Sequence, residues 1–224
     1  MNFKKHIFSK TSQKERKQNI ASSKDREKGD HTVSIHISRY KIVYEPMKDE
    51  YSKLVPSEIE DEISDELYDL TKKNPRKAIE RLNQLKKQYP AYPRIYNYLT
   101  ASYSVLGDSK KLNEIIEENY RKTPEYLFAK INYAEICLHR GEVDKIPIIF
   151  DNKFDLKLLY PHRDEFHITE AVSFFGLIGR YYLAIGDLEQ ARRVLKMLKR
   201  IAPDREATQI LKNKLREKRN ELRG

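Results

Sequence analysis

Residues 172–203 read VSFFGLIGRYYLAIGDLEQARRVLKMLKRIAP, and this stretch decides the fold. Apolar residues recur at helical spacing up to the Gly186-Asp187 dipeptide, resume after it, and end at Pro203. Two short amphipathic helices joined by a tight turn cannot bury their apolar faces alone. The stretch therefore predicts a helix–turn–helix unit that packs against similar neighbours.

The spacing of turn residues elsewhere in the chain indicates further copies of this unit. Gly107 and Gly141 are 34 residues apart, as are Pro90 and Pro124, and the glycine turn and closing proline of a unit are 17 residues apart. The spacing breaks around residues 150–168, which we interpret as an insertion. The units predicted before the quoted stretch are 57–90, 94–124 and 125–161.

These units resemble the tetratricopeptide repeat family, whose helical hairpins repeat every ~34 residues. The quoted stretch matches the family at Phe175, Ile178, Gly179, Tyr182, Gly186, Asp187, Ala191, Leu195 and Pro203. The unit 94–124 matches at Tyr96, Leu99, Tyr103, Gly107, Asp108 and Pro124. Lys130 departs from the pattern, because it replaces an aromatic residue. The resemblance implies an all-α solenoid of about four hairpins over 57–203, with small residues such as Gly179 where helices approach closely.

The segments outside the repeats are predicted from composition. Residues 1–30 lack periodicity and are predicted to be a disordered basic tail, so their deletion should leave the melting temperature unchanged. Residues 31–56 are predicted to be an extended segment and linker, with a strand over 32–46 that either docks on the helices or stays loose. Residues 204–224 are predicted to be a basic capping helix.

The resemblance also implies a site, because the first helix of each tetratricopeptide hairpin lines a concave groove. The positions expected there are Arg94, Asn97, Ala101, Ser104, Glu135, Leu138, His139, Arg180 and Leu183. We expect Arg180 to bind a peptide carboxylate and Asn97 to bind a peptide backbone, with neither side chain needed for folding. Tyr98 and Leu177 break the carboxylate-clamp pattern of the co-chaperone members, so that clamp is not carried over.

The leading functional prediction is therefore a scaffold that binds a protein or peptide partner, and charge supports one alternative. The net charge is +10, with +5 in residues 1–30, +8 in residues 192–224 and −3 between them. Basic ends of this kind favour nucleic acid as a possible partner, or they are simply solvated.

A second alternative is an enzyme with a site near the 150–168 insertion, although no catalytic residue, cofactor or metal site is predicted. His162, Asp164, Glu165 and His167 lie close in sequence, but we interpret Asp164-Glu165 as capping the next helix. Cys137 is predicted to be a small core residue. A single cysteine favours a reducing, cytoplasmic setting. No apolar run reaches the ~18 residues of a membrane span.

Overall fold

The computed structural model describes residues 40–45, 47 and 50–221, and most of them are helical. The helices are α1 (Ser57–Asp61, continued by the π-helical Glu62–Leu67 and by Tyr68–Lys73), α2 (Pro75–Gln88), α3 (Pro93–Leu106), α4 (Ser109–Lys122), α5 (Leu127–Arg140), α6 (Lys145–Ile149), α7 (Leu156–Leu159), α8 (Ile168–Ala184), α9 (Leu188–Ile201) and α10 (Glu206–Glu221). Two short strands, β1 (Lys41–Val43) and β2 (Glu165–His167), and a 3-10 turn at Glu50–Leu54 complete the described elements.

The helices pack as consecutive hairpins. Within the described residues the pairs are α1/α2, α3/α4, α5/α6 and α8/α9, and the two helices of each pair contact each other. The first helices also contact one another in order, α1 with α3, α3 with α5, and α5 with α8. The prediction of an all-α fold is thereby confirmed for the described part of the chain.

The three turn glycines adopt a backbone conformation that few other residues take up. Gly107, Gly141 and Gly186 have φ of 74°, 75° and 83°, in the left-handed region that favours glycine. After the turns at Gly107 and Gly186, an aspartate caps the next helix, since the Asp108 carboxylate accepts from Lys111 N and that of Asp187 from Gln190 N, each at 3.0 Å. Local turn chemistry therefore defines these two hairpins.

The third hairpin is incomplete, as the irregular spacing suggested. Helix α6 ends at Ile149, and Asp151 and Asn152 follow with positive φ. Lys130, at the position where the resemblance predicts an aromatic residue, is buried, and its ammonium lies 3.3 Å from the Ile149 carbonyl oxygen. A cation at the carboxyl end of a helix is stabilising, which accounts physically for a buried lysine beside this short helix.

The segment before the first hairpin docks on the last one. Strand β1 pairs in parallel with β2, with Ile42 opposite Phe166. Tyr40 and Ile42 are buried in the same hydrophobic core as Phe166. The Tyr44 hydroxyl donates to the Ile201 carbonyl at 3.1 Å. The strand predicted over 32–46 is thus observed at 41–43, and residues 32–39 lie outside the described residues.

The same segment then reaches the first hairpin. Val55 is buried in the core that α1, α2 and α3 share. The Ser52 hydroxyl donates to Glu60 at 2.6 Å, and Tyr51 packs edge-on against Tyr126 at the start of α5. The described residues between 40 and 55 therefore contact both the first and the last hairpin.

Helix α10 covers the last hairpin by packing on both α8 and α9. A Cβ added to Gly179 would lie 2.4 Å from Leu211 Cδ2 and 3.2 Å from Val194 Cγ1. The predicted close approach at Gly179 is confirmed, and it involves α9 and the capping helix together.

Candidate functional site

The residues predicted to line the groove fall into three groups in the structure. Ala101 and Ser104 are buried. Arg94, Asn97, Glu135, Leu138, Arg180 and Leu183 are half-buried, and only His139 is exposed. Most of the predicted positions are therefore wholly or partly covered by other residues.

Arg180 on α8 pairs with Glu135 on α5. Its NH1 donates to one Glu135 oxygen at 2.8 Å, its NH2 donates to the other, and its Nε donates to the Gly176 carbonyl at 3.2 Å. The two side chains are only 11% and 18% exposed. The expectation that Arg180 is available to bind a peptide carboxylate is corrected, because Glu135 already occupies its two-pronged face.

A second pair repeats this arrangement between the first two hairpins. Arg94 on α3 donates to Glu60 on α1 at 3.2 Å, and the two residues are 34 positions apart. Glu135 and Arg180 are 45 positions apart, as are the turn glycines Gly141 and Gly186 of their hairpins. In both cases an acid on one first helix meets an arginine at the equivalent level of the next, so we call them the inter-hairpin ion pairs.

Asn97 is also engaged. Its amide donates to the Tyr126 hydroxyl at 3.0 Å, and its side-chain oxygen lies 3.4 Å from the Asn119 amide nitrogen. These contacts join α3 to its own partner helix and to the start of α5. These contacts give both side chains a structural role that the sequence analysis did not assign, so we expect their removal to lower stability. A binding role for this face stays a prediction.

The first helices expose a different set of side chains at their carboxyl ends. Val105 and Leu106 end α3 and are 44% and 38% exposed, and Ile185, just after α8, is 47% exposed. Leu106, Arg140 and Ile185 each directly precede a turn glycine, and Val105, His139 and Ala184 each lie two residues before one. All six are exposed. We call this set the exposed strip: Val105, Leu106, His139, Arg140, Ala184 and Ile185.

The ionisable residues of the insertion stabilise its own fold. Asp164 accepts from Lys157 at 2.6 Å, and this contact lowers the pKa of the Asp164 carboxyl. Arg163 donates to both oxygens of Glu170, at 2.9 and 2.8 Å. These contacts are structural and give no argument for catalysis.

The residue that caps α8 is His167, not the predicted Asp164-Glu165. Nδ1 of His167 accepts from Thr169 N at 3.3 Å, while Glu170 accepts from His167 N at 2.9 Å. Nε2 lies 3.2 Å from the Tyr44 carbonyl oxygen, so in the neutral ring this nitrogen carries the proton. Sequence reasoning missed this role because histidine is not among the residues that usually cap helices.

Three further sequence predictions concern single features. Cys137 is buried, and burial is the main cause that raises the pKa of its thiol, as suits a core residue. No group of three His, Cys, Asp or Glu residues within the described ranges is placed to hold a metal ion. Among the described helices, none combines the length and the apolar character that crossing a membrane requires.

We predict that Arg180→Met lowers the free energy of unfolding by about 2 kcal/mol, since it leaves the Glu135 carboxylate largely covered without its partner. The double variant Glu135→Met with Arg180→Met should be more stable than the single variant, because the stranded charge is gone. Urea unfolding of the parent, the two single variants and the double variant measures these free energies of unfolding. Additive effects of the two substitutions would show that the pair contributes no coupling.

No protein-family model, curated protein or solved structure matches this chain.

Proposed function

We propose that this chain is a tetratricopeptide-type scaffold that binds a protein or peptide partner along its first helices. Three observations support the repeat assignment: hairpins in sequence order, left-handed glycine turns after three first helices, and ion pairs between neighbouring first helices. The lone buried Cys137 fits a reducing, cytoplasmic setting, which is part of the proposal.

The observation that carries the binding proposal is the exposed strip. Isolated exposed aliphatic residues are ordinary, but here they recur at equivalent positions of the second and fourth hairpins. Between them lie His139 and Arg140 of the third hairpin, and Arg140 pairs with Glu117 at 3.0 Å on the surface. A partner segment with aliphatic side chains and a carboxylate would complement this mixture.

The half-buried Leu138 and Leu183 lie one helical turn or less before the exposed strip on α5 and α8. They extend its apolar surface towards the groove that the family resemblance implies. The Glu135–Arg180 pair lies a further turn back and joins the two helices. In this arrangement the inter-hairpin ion pairs hold the face in shape, and the exposed strip contacts the partner.

The test begins with a photoactivatable residue at position 185, introduced into the full chain in its native cell, to identify the bound protein. Binding of that purified partner is then measured for Leu106→Asp with Ile185→Asp. We expect at least a tenfold loss of affinity, about 1.4 kcal/mol, because charges replace apolar contacts. The melting temperature should hardly change, since both side chains are substantially exposed.

The matched control is Ile148→Asp with Leu158→Asp, which makes the same change at exposed aliphatic residues of α6 and α7. The control should bind the partner as the parent does. Equal losses from the two double variants, or no loss from the first, would reject the exposed strip as the binding surface.

A further inference from the structure

The outer face of α9 is strongly basic, and Glu189 is the acidic residue on it. Its exposed residues include Arg192, Arg193, Lys196, Lys199 and Arg200. At 100° per residue these five lie within about 120° of the helix circumference. The buried residues Ala191, Leu198 and Ile201 lie on the other side, against α8 and α10.

Four of these five cations are not neutralised by described neighbours. Arg193 pairs with Glu189, the acidic residue of α9, but Arg192, Lys196, Lys199 and Arg200 form no ion pair with any described residue. The adjacent α10 is itself basic, with Lys212, Lys214, Arg216, Lys218 and Arg219 exposed. The helix dipole stabilises cations near the carboxyl end of a helix. This effect explains the placement of Lys199 and Arg200, but not that of the other cations.

Helix α2, the second helix of the first hairpin, is partly neutralised. Its Arg81 pairs with Glu62 at 2.6 Å and its Lys86 with Glu118 at 2.7 Å. It also packs on α1, which carries seven acidic residues: Glu58, Glu60, Asp61, Glu62, Asp65, Glu66 and Asp69. The unbalanced positive charge of the described chain is therefore concentrated at the last hairpin and the capping helix.

The chemistry of this surface selects among anionic partners. No large hydrophobic residue is exposed between 188 and 221, so the surface has no apolar group to insert into a membrane and no apolar anchor for a protein interface. The same range contains no aromatic residue on which single-stranded bases could stack. A surface with this excess of cations is suited to the phosphate backbone of a double-stranded nucleic acid, where contacts are sequence-independent.

We propose that the outer face of α9, with the basic residues of α10, binds the phosphate backbone of duplex nucleic acid. Arg192, Lys196 and Arg200 are four residues apart, so their side chains project about 6 Å from each other along one row. Such a row contacts successive phosphates without entering a groove. This surface lies on a second helix, so its role is independent of the proposed partner binding on the first helices.

The experiment measures binding of the full chain to a mixed-sequence DNA duplex by fluorescence anisotropy between about 50 and 200 mM salt. We expect the affinity to fall with salt and to be equal for two unrelated duplex sequences. Arg192→Gln with Lys196→Gln and Arg200→Gln should weaken binding at least tenfold. It should also reduce the salt slope by about three, one for each lost phosphate contact.

The matched control is Arg76→Gln with Lys77→Gln and Lys87→Gln. It removes three exposed cations from α2, so its net charge equals that of the α9 triple variant. It should bind the duplex within about twofold of the parent, because each phosphate contact depends on local charge. Equal weakening by both triple variants would reduce the effect to net charge and overturn the proposal.

Three other results would also overturn it. One is full duplex binding by the α9 triple variant together with loss on deletion of residues 1–30. Another is tighter capture, through the same three residues, of phosphatidylserine vesicles or of polyglutamate than of the duplex. The third is self-association of the protein alone, seen by sedimentation and lost in the α9 triple variant. That result would assign the basic face to contact with the acidic α1 of a second copy.

Discussion

A chain that begins at residue 46 should melt about 10 °C below one that begins at residue 31. The shorter chain lacks β1, and with it the buried side chains of Tyr40 and Ile42. Burial of such side chains contributes ~1.5–3 kcal/mol each, less a fraction for the compactness of the unfolded chain. A loss of about 3–5 kcal/mol lowers the melting temperature by about 10 °C in a protein of this size.

The effect should be local to the last hairpin at first. Removal of β1 exposes Phe166, which packs edge-on against Tyr40 with ring centroids 5.2 Å apart. It also removes the Tyr44 contacts to Ile201 and to the capping residue His167. Hydrogen exchange should therefore show early loss of protection in β2 and at the start of α8.

Two comparisons separate docking of the strand from a general effect of length. Deletion of residues 1–30, predicted to be a disordered tail, should leave the melting temperature unchanged. In the full chain, Ile42→Ala should destabilise while Lys41→Ala should not, because Ile42 is buried and the Lys41 side chain is largely exposed. Identical melts for the chains beginning at residues 31 and 46 would show that β1 contributes no stability.

Gly179→Leu should destabilise the protein by about 3 kcal/mol or more, at the upper end of overpacking effects. A Cβ alone would approach Leu211 Cδ2 to 2.4 Å, and Val194 lies on another side. The remaining atoms of a leucine have no space unless α8, α9 and α10 separate. Thermal denaturation followed by circular dichroism measures the loss, and an unchanged melt would contradict the close approach.

The size of the substituent decides the result at this position. Gly179→Ala adds ~1 kcal/mol of helix propensity, and the methyl group of Leu211 that it meets is the flexible end of a side chain. We therefore expect a small net effect for alanine and a large one for leucine. In a Leu211→Ala background, Gly179→Leu should cost less, because the atoms that it meets are removed.

Ala184→Leu is the control for adding a leucine to the same helix, because Ala184 is exposed. Its melting temperature should stay within a few degrees of the parent value. A comparable loss at both positions would mean that bulk on α8, and not the contact with α10, is responsible.

Part of the site was predictable from the sequence and part was not. The positions that the family resemblance assigned to a groove do lie on first helices that contact one another. However, the sequence does not show that Glu135 lies opposite Arg180, because the insertion changes the spacing between those hairpins from 34 to 45 residues. A search for acid–arginine pairs at the repeat spacing would have found Glu60 with Arg94, and not the second pair.

The sequence by itself determined the hairpins, since their signals are local. A glycine in the left-handed region, an aspartate cap and an apolar stripe act within one or two turns of helix, and each is readable from a few neighbouring residues. The tertiary structure alone decided which distant groups meet. Lys41 pairs with Glu165, Tyr44 contacts Ile201, and Lys130 reaches the end of α6. These contacts depend on how the hairpins stack and on how the insertion folds, and no local pattern encodes either of them.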